Sequence, residues 1–320
     1  MDFFGTLMWP IKYVLEAILA GFHWVVEAAG VDGASGLAWV LAIVGLVLVV
    51  RTAMIPLTVK QIVSSRRALE VAPEVKRIQD KYKGKKDQFS REAMQRETMA
   101  AYKKAGTNPL ASCLPMLVQM PVFFGLVTVL TTANRGDAGV GFMTKPLADQ
   151  FGSAQLFDVI PLHMTMQQGF EQGNWYVVSL AILLVVIMTG TQFFTQLQIM
   201  SKNQTPAMKE SPMYRQQRVL LYIIPIFLII TGYMFPLATM FYWLVSNIFT
   251  MVQQFIIIHN MPTPGSDAAL AREARLARKR QRQGLPPLED EKADDTLVQE
   301  IGGQRVQPKR KTPKSKRGGK

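Results

Sequence analysis

The sequence predicts an all-α, polytopic membrane protein in which five transmembrane helices surround a hydrophilic groove and a helical hairpin lies in the cytosol. Two observations predict this class. Long apolar runs, each sufficient to cross a hydrocarbon core of roughly 30 Å, alternate with strongly charged segments. The runs also lack the alternating pattern of barrel strands, and only helices or closed barrels can span lipid.

Five apolar runs define the predicted spans. They cover residues 37–57, 109–132, 175–199, 219–235 and 237–258. Little more than Pro236 separates the last two runs. The spans therefore form a core over residues 37–258, preceded by an arm, residues 1–36, and followed by a tail, residues 259–320.

The charges of the segments between the spans predict the orientation. The net charges of residues 1–36, 58–108, 133–174, 200–218 and 259–320 are −3, +7, −2, +3 and +7. Positively charged segments stay in the cytosol. We therefore expect a membrane protein with its N-terminus outside and its C-terminus in the cytosol.

Within the arm, residues 10–29 are apolar but carry four polar interruptions. These are Lys12, Glu16, His23 and Glu27. A cleaved signal peptide would have a basic start and an uninterrupted apolar centre, and this stretch has neither. An amphipathic helix in the outer interface fits better, with Trp9, Tyr13 and Trp24 at headgroup depth. A sixth span is the alternative.

The two long connections between spans lead to different expectations. Residues 58–108 hold thirteen basic and six acidic residues, and their apolar residues recur at helical spacing on either side of a turn at residues 83–86. This predicts a basic cytosolic hairpin, either a solvated cap or a docking site for ribosomes, nascent chains or lipid headgroups. Residues 133–174 are rich in Gly and Pro and are expected to be irregular, without chemistry.

The tail over residues 259–320 is predicted to be disordered, apart from a helix over residues 268–283, because Pro, Gly, Gln, Lys and Arg dominate it. Its charge suits anionic lipids or ribosomal RNA. The positive-inside bias alone would also explain that charge.

Arg51 lies inside the first apolar run. A cation in mid-bilayer costs on the order of 2.5–3.5 kcal/mol on the lenient insertion scale, so its presence calls for a reason. None of the five spans contains Asp, Glu, Lys or a second Arg. Water, neutral polar groups or a partner molecule must therefore stabilise the charge. Snorkelling of the side chain to the cytosolic interface is the alternative.

Neutral polar residues in the other spans are candidates for the lining around Arg51. They are Gln119 in the second span, Gln192 and Gln196 in the third, and Ser246, Asn247, Gln253 and Gln254 in the fifth. Together they suggest a hydrated, positively charged cavity within the membrane. For each Gln alone, an ordinary interhelical hydrogen bond is the simpler interpretation.

The sequence favours no enzyme and predicts no catalytic residue, cofactor or metal site. It has no GxxxxGK[ST] loop for a nucleotide, and its three His residues are scattered. The spans offer no carboxylate for proton relay, and the two halves show no evident repeat. These absences argue against an ATP-driven pump and a secondary transporter.

Three segments resemble the YidC/Alb3 family of membrane protein insertases. They are RTAMIPLT at residues 51–58, NPLASCLPMLVQMPVFFGL at residues 108–126 and FYWLVSNIFTMVQQ at residues 241–254. The likeness covers roughly residues 10–260. The chain looks like the short, Gram-positive-like form that lacks a large extracytoplasmic domain. This likeness implies a location in a bacterial plasma membrane. Ser112 departs from the family pattern, where Gly usually stands.

The resemblance implies a groove open to the cytosol and to lipid, with the family's Arg matched by Arg51. It also implies substrate contacts at five positions. These are Met120, Pro121, Phe123, Tyr242 and Trp243. The implied partners are nascent membrane proteins, the ribosome through the basic tail and hairpin, the Sec translocon and anionic lipids. A small-solute transporter or channel, and a chaperone that holds clients without translocating their tails, are the alternatives.

Overall fold

The structure is a computed structural model that describes residues 3–85, 87–104, 106, 114–209 and 212–285 of the chain. The helices are α1 Phe3–Ala28, α2 Gly36–Ala53, α3 Ile55–Lys81, α4 Gln88–Lys104, α5 Leu114–Asn134, α6 Lys145–Ser153, α7 Met166–Glu171, α8 Trp175–Lys202, α9 Pro206–Lys209, α10 Pro212–Met234, α11 Leu237–Asn260 and α12 Asp267–Arg282. Two short antiparallel strands, β1 Gln155–Leu156 and β2 Ile160–Pro161, form the sheet. The all-α class is confirmed.

Four helices of the described chain are long and apolar enough to cross a membrane. They are α2, α8, residues Gln217–Met234 of α10, and α11. They match the first, third, fourth and fifth predicted spans. The predicted second span, residues 109–132, begins outside the described residues and continues as α5, so the number five stays a prediction. Large apolar side chains stand exposed along α8 and α10, and such surface is typical of a face that contacts lipid.

The helices pack around α11, which contacts α2, α5 and α8. Helix α1 lies against α2 and α5, and α10 lies against α8. Glycines allow two of these helix pairs to approach closely: a Cβ on Gly45 would lie 2.2 Å from Cδ1 of Phe22, and a Cβ on Gly232 would lie 2.3 Å from Cγ2 of Val185. Small residues at helix contacts are a general device of membrane proteins, because lipid supplies no hydrophobic drive between helices.

The first predicted span is interrupted at its end. Helix α2 stops at Ala53, Met54 forms a turn, and α3 begins at Ile55, so the prediction of one helix over residues 37–57 was wrong. The reason is Pro56, which occupies the first turn of α3. Proline has no N–H to continue the bonding of α2, but it is well tolerated at a helix start.

Polar residues of α1 connect this helix to its surroundings. The buried carboxylate of Glu16 accepts hydrogen bonds from the backbone N–H groups of Val140 at 2.8 Å, Gly141 at 2.8 Å and Met143 at 3.3 Å. The ring of buried His23 stacks on Trp39 with 3.9 Å between centroids. One face of α1 therefore packs on the protein. Its placement in the interface, rather than as a sixth span, stays a prediction.

The connection between α5 and α8 is more regular than the sequence predicted. It contains α6, the β1–β2 hairpin and α7, and a capping box joins Thr165 and Gln168 at the start of α7. The connection also supplies carbonyl acceptors to the start of α11: Leu237 N–H donates to Met164 O and Ala238 N–H donates to Leu162 O, both at 3.0 Å. These bonds satisfy two amides that a helix N-terminus leaves unpaired.

Helices α3 and α4 form the predicted hairpin. Val71, Val75 and Ala101 are buried between them. Beyond this contact, Lys81 Nζ lies 2.7 Å from Glu97 Oε1, and the Tyr82 hydroxyl donates to the same oxygen at 2.8 Å. The bond from Lys81, reinforced by the one from Tyr82, lowers the pKa of Glu97, and Glu97 in turn raises the pKa of Lys81.

The chain divides into two compact units, Met1–Arg272 and Glu273–Lys320. The first unit extends beyond the predicted core, because Thr263 N–H donates to Asn203 Oδ1 at 2.8 Å. Residues 267–282 of the predicted tail form α12, close to the helix predicted over residues 268–283. Within the described residues, the second unit consists of the basic end of α12 and the turn after it, and residues 286–320 lie outside them.

Candidate functional site

Arg51 occupies the last turn of α2, three residues before the turn at Met54. Its side chain is half-buried and points to α11, where Nε donates to Ser246 Oγ at 3.1 Å. Nη2 of the same guanidinium donates to the same hydroxyl. Ser246 is 4% exposed. Two N–H groups of the cation therefore converge on one buried oxygen.

This contact leaves the charge of Arg51 without an ionic partner. Three ion pairs occur among the described residues, and none includes Arg51. They are Lys81–Glu97, Lys145–Asp149 and Lys209–Asp267. A serine hydroxyl orients a guanidinium but does not neutralise it. Because a guanidinium has five N–H donors, three remain without a hydrogen bond to any described residue.

The face of α11 that meets Arg51 continues in both directions. Buried Tyr242 lies on α11 one turn before Ser246. One turn after Ser246, the Thr250 hydroxyl donates to the Ser246 carbonyl at 2.8 Å. The spacing of four residues keeps all three on one side of the helix.

Aromatic residues join α5 to α11 beside this face. The Phe123 and Trp243 rings are nearly parallel, at 11°, with centroids 6.1 Å apart. Phe235, which directly follows α10, packs on Trp243 with 5.0 Å between the ring centroids. Phe235 was not among the predicted site residues, and only its position before Pro236 could have pointed to it.

The remaining predicted site residues are accessible, but no hydrogen bond in the described chain links them to Arg51. On α5, Met120 is 37% exposed, and Gln119 and Pro121 are half-buried. The half-buried amides of α8 and α11 are Gln192, Gln196 and Asn247. The structure thus brings Arg51 to Ser246, one turn from Tyr242, and Phe123 together with Trp243. Convergence of all ten residues on one groove stays a prediction.

A cavity of about 460 Å³ lies elsewhere in the molecule. Its lining residues come from α7, α8 and α10. The lining is apolar except for the hydroxyl of Tyr233. None of the predicted groove residues lines it. Among the described residues, no group of three or more His, Cys, Asp or Glu could hold a metal ion. The described site offers a half-buried cation, hydroxyls and aromatic rings.

The partner of Arg51 was only partly foreseen. Ser246 was predicted as part of the neutral lining, because a hydroxyl in an apolar span can stabilise a cation. Its direct contact was not, since Arg51 and Ser246 lie 195 residues apart in the chain and their relative height depends on helix packing. Glu16 was noted only as an interruption of an apolar stretch, and its amide partners were missed.

Comparison with known proteins places this arrangement in a family. A family model described as 60Kd inner membrane protein matches residues 30–264. The chain is 41% identical over 281 residues to the membrane protein insertase YidC of Tropheryma whipplei strain Twist, which covers 86% of this chain and 91% of the relative.

Two further relatives extend the comparison. The chain is 34% identical over 325 residues to the membrane protein insertase YidC of Bifidobacterium longum, covering 98% of this chain and 96% of the relative. It is 37% identical over 283 residues to the protein of the same name from Streptomyces avermitilis, covering 86% and 64%. The matched region includes α2, α5, α8, α10 and α11, and with them Arg51 and its contacts. The chain therefore belongs to the YidC/Alb3 family of membrane proteins.

Proposed function

We propose that the protein is a membrane protein insertase that receives hydrophobic client segments in a hydrated groove around Arg51 and assists their insertion and folding in the bilayer. Family membership supports the insertase role, and no covalent step is required. Burial of apolar client surface, at roughly 25 cal/mol per Å², can supply the net driving force.

The observation that carries the groove proposal is the contact between Arg51 and Ser246. The guanidinium is held on one side by a neutral hydroxyl and has no carboxylate partner among the described residues. A negatively charged client segment at about 4 Å could gain up to roughly 4 kcal/mol at an effective dielectric constant near 20. Water and salt reduce this gain, so Arg51 lowers the barrier for acidic segments without trapping them.

Each remaining site residue has a stated part in this proposal. The apolar and aromatic side chains contact the client's hydrophobic segment, and the amides keep the groove hydrated. The contact residues are Met120, Pro121, Phe123, Tyr242 and Trp243, and the amides are Gln119, Gln192, Gln196 and Asn247. The connection between α5 and α8 covers the start of α11, which supports a groove closed at that end and open at the other.

The proposal includes an orientation and a set of partners. The N-terminus lies outside and the C-terminus in the cytosol, since the segments with net positive charge then remain inside. Nascent membrane proteins are the clients. The ribosome and anionic lipids contact the basic hairpin and tail, and the Sec translocon delivers part of the clients.

Substitution of Arg51 tests the mechanism. Arg51→Lys should retain much of the activity, because lysine supplies the same charge without the planar fork. Arg51→Ala should lose most of the insertion of clients with acidic translocated segments. The loss for matched neutral clients should be much smaller. The measurement is protease protection of the translocated tail of an acidic and a neutral client, at equal insertase level.

Ser246→Ala is the matched control, because it removes the hydroxyl that orients the cation but keeps the charge. We expect a smaller insertion defect than for Arg51→Ala, and again a larger defect for acidic clients than for neutral ones. If Arg51→Ala impaired both clients equally, attraction of charge would be excluded and Arg51 would have a structural role. Crosslinking of clients at Met120 reports separately on client binding. If the groove proposal is wrong, no crosslink forms there.

A further inference from the structure

The tip of the β1–β2 hairpin has an unusual backbone for its residues. Phe157 and Asp158 both have positive φ, at 55° and 58°, and Val159 N–H donates to Leu156 O at 3.2 Å to close the turn. Positions of this kind favour Gly, Asn or Asp, because a Cβ is crowded there. Phe157 is therefore a strained choice on local grounds.

The interior of the protein does not compensate for this strain. The Phe157 side chain is 84% exposed, and Val159 next to it is 42% exposed. An aromatic ring held in an unfavourable conformation, and contributing almost no burial, suggests a contact outside the chain.

The structure fixes the tip at the level where a membrane-spanning helix begins. Asn174 caps α8: its Oδ1 accepts from Val177 N–H, and its Nδ2 donates to Val159 O, both at 3.2 Å. Helix α8 is long and apolar enough to cross the membrane. One side chain thus ties the hairpin tip to the first turn of a span.

Aromatic residues already mark this level. Trp175 and Tyr176 open α8 and are 66% and 65% exposed. Phe170 packs edge-on against Trp175, with 5.8 Å between centroids. Tryptophan and tyrosine concentrate where the hydrocarbon core meets the headgroups. The exposed tip is therefore continuous with a surface that has the composition of a membrane interface.

We propose that the tip, residues 157–159, inserts into the boundary between headgroups and acyl chains of the leaflet at which α8 begins, and anchors the α5–α8 connection to the membrane surface. The occupant is lipid. Asp158 is the single charged residue at the tip, so ring insertion rather than attraction to anionic headgroups drives the contact. The anchoring does not depend on insertase activity.

A fluorescent probe at position 158 tests the inference while Phe157 is kept. The single cysteine, Cys113, is replaced by serine, and an NBD label is attached to Asp158→Cys in the full-length protein in phosphatidylcholine vesicles. Ala138, exposed in the same connection, receives the label in a matched control. We expect shallow nitroxide lipids to quench position 158 severalfold more than position 138, and iodide to quench it severalfold less. Equal iodide quenching at the two positions would overturn the proposal. A tip that docks on another protein instead of lipid would give this same result, because the vesicles contain no such protein.

Two substitutions separate lipid contact from folding. Phe157→Asn suits the turn but removes the ring, so iodide should reach the label at 158 while the melting temperature in detergent stays unchanged or rises. Phe157→Trp should keep the shielding. Unchanged shielding in Phe157→Asn would show that the ring is not the anchor.

Discussion

At the scale of single residues, Glu16 shows how a carboxylate inside an apolar helix can organise a distant segment. Its two oxygens accept three backbone N–H groups from the α5–α8 connection. Hydrogen bonds to an ionised acceptor are stronger than neutral ones. A Cβ on Gly139 would lie 2.2 Å from Glu16 Oε1, so the carboxylate also needs a glycine beside it.

Glu16→Gln should loosen the connection without unfolding the helices. Glutamine keeps the shape but presents an NH₂ group to backbone donors, so at least one charge-assisted bond is lost. We expect the local opening free energy to fall by about 2 kcal/mol, which makes exchange of the amide hydrogens of Val140, Gly141 and Met143 roughly thirtyfold faster. Hydrogen exchange with mass spectrometry measures this change.

Glu27→Gln is the control for Glu16→Gln, because Glu27 is an exposed carboxylate on the same helix. It should leave exchange of the three amides unchanged. Equal exchange in wild-type protein and Glu16→Gln would mean that backbone bonds within the connection, rather than the carboxylate, hold it in place.

Individual residues were predictable where the sequence itself shows an energetic cost, such as a charge placed in an apolar span. A lone cation in an apolar run drew attention to Arg51, and the need for neutral acceptors made Ser246 one of seven candidates without singling it out. Glu16 was not assigned a role because its partners are main-chain amides, which have no sequence signature. Contacts between side chains more than a hundred residues apart depend on how helices pack, and periodicity does not contain that information.

At the scale of elements, long helices followed from composition and short ones did not. The runs that became α8 and α11 were predicted nearly to their ends. The connection between α5 and α8 was expected to be irregular, but its helices have nine and six residues, too few turns for a periodic pattern. The break at Met54 was missed because Pro56 lies within an apolar run, where hydrophobicity concealed it.

The hairpin of α3 and α4 offers a test of its charge. Replacing exposed Arg91, Arg96 and Lys103 by glutamine should weaken association with ribosomes or anionic vesicles, because each lost phosphate contact reduces both affinity and salt dependence. Sedimentation with ribosomes and with vesicles over a series of salt concentrations measures the effect. The buried Val75 contact is untouched, so the helices should keep their packing.

A charge-preserving set, Arg91→Lys, Arg96→Lys and Lys103→Arg, is the control for the hairpin. It should bind as the wild type does. If the glutamine set bound equally well at every salt concentration, the hairpin would be a solvated cap and the positive-inside bias would explain its charge.

At the scale of the whole molecule, removing the end of the tail tests whether basic residues bind phosphates, without changing the helices. Residues 305–320 hold eight basic residues and no acidic one. Removing them should weaken binding to ribosomes or anionic membranes and make the remaining binding less salt-sensitive, by about 0.9 in the log–log slope for each lost contact with duplex-like phosphates. Equilibrium binding at several salt concentrations gives that slope.

The control for the truncation is a full-length chain in which the same eight residues become glutamine. Both variants should behave alike, because charge rather than length is the cause. Wild-type affinity at low salt in both variants would assign ribosome and lipid contacts to other parts of the chain.

The class of the whole molecule was predictable from composition, because lipid permits few architectures for a chain with such long apolar runs. The family followed from three segments in order. How many helices cross the membrane depends on residues 107–113 as well, which precede α5 and lie outside the described residues. How the helices are arranged around α11 could not be predicted, since close approaches such as Gly45 against Phe22 are set by three-dimensional shape.

The turn at Met54 has a mechanical consequence. Helix α3 runs from Ile55 to Lys81 with Pro73 inside it, about 40 Å at 1.5 Å per residue, and its first residue lies four positions from Arg51. A bend at Met54 would make α3 a lever whose pivot adjoins the proposed groove and whose far end carries the hairpin turn. A rotation of about 10° at the pivot would sweep the far end through roughly 7 Å, by the arc of a rod of that length. A sideways force applied at the hairpin turn would exert a torque at the pivot equal to that force times the length of α3.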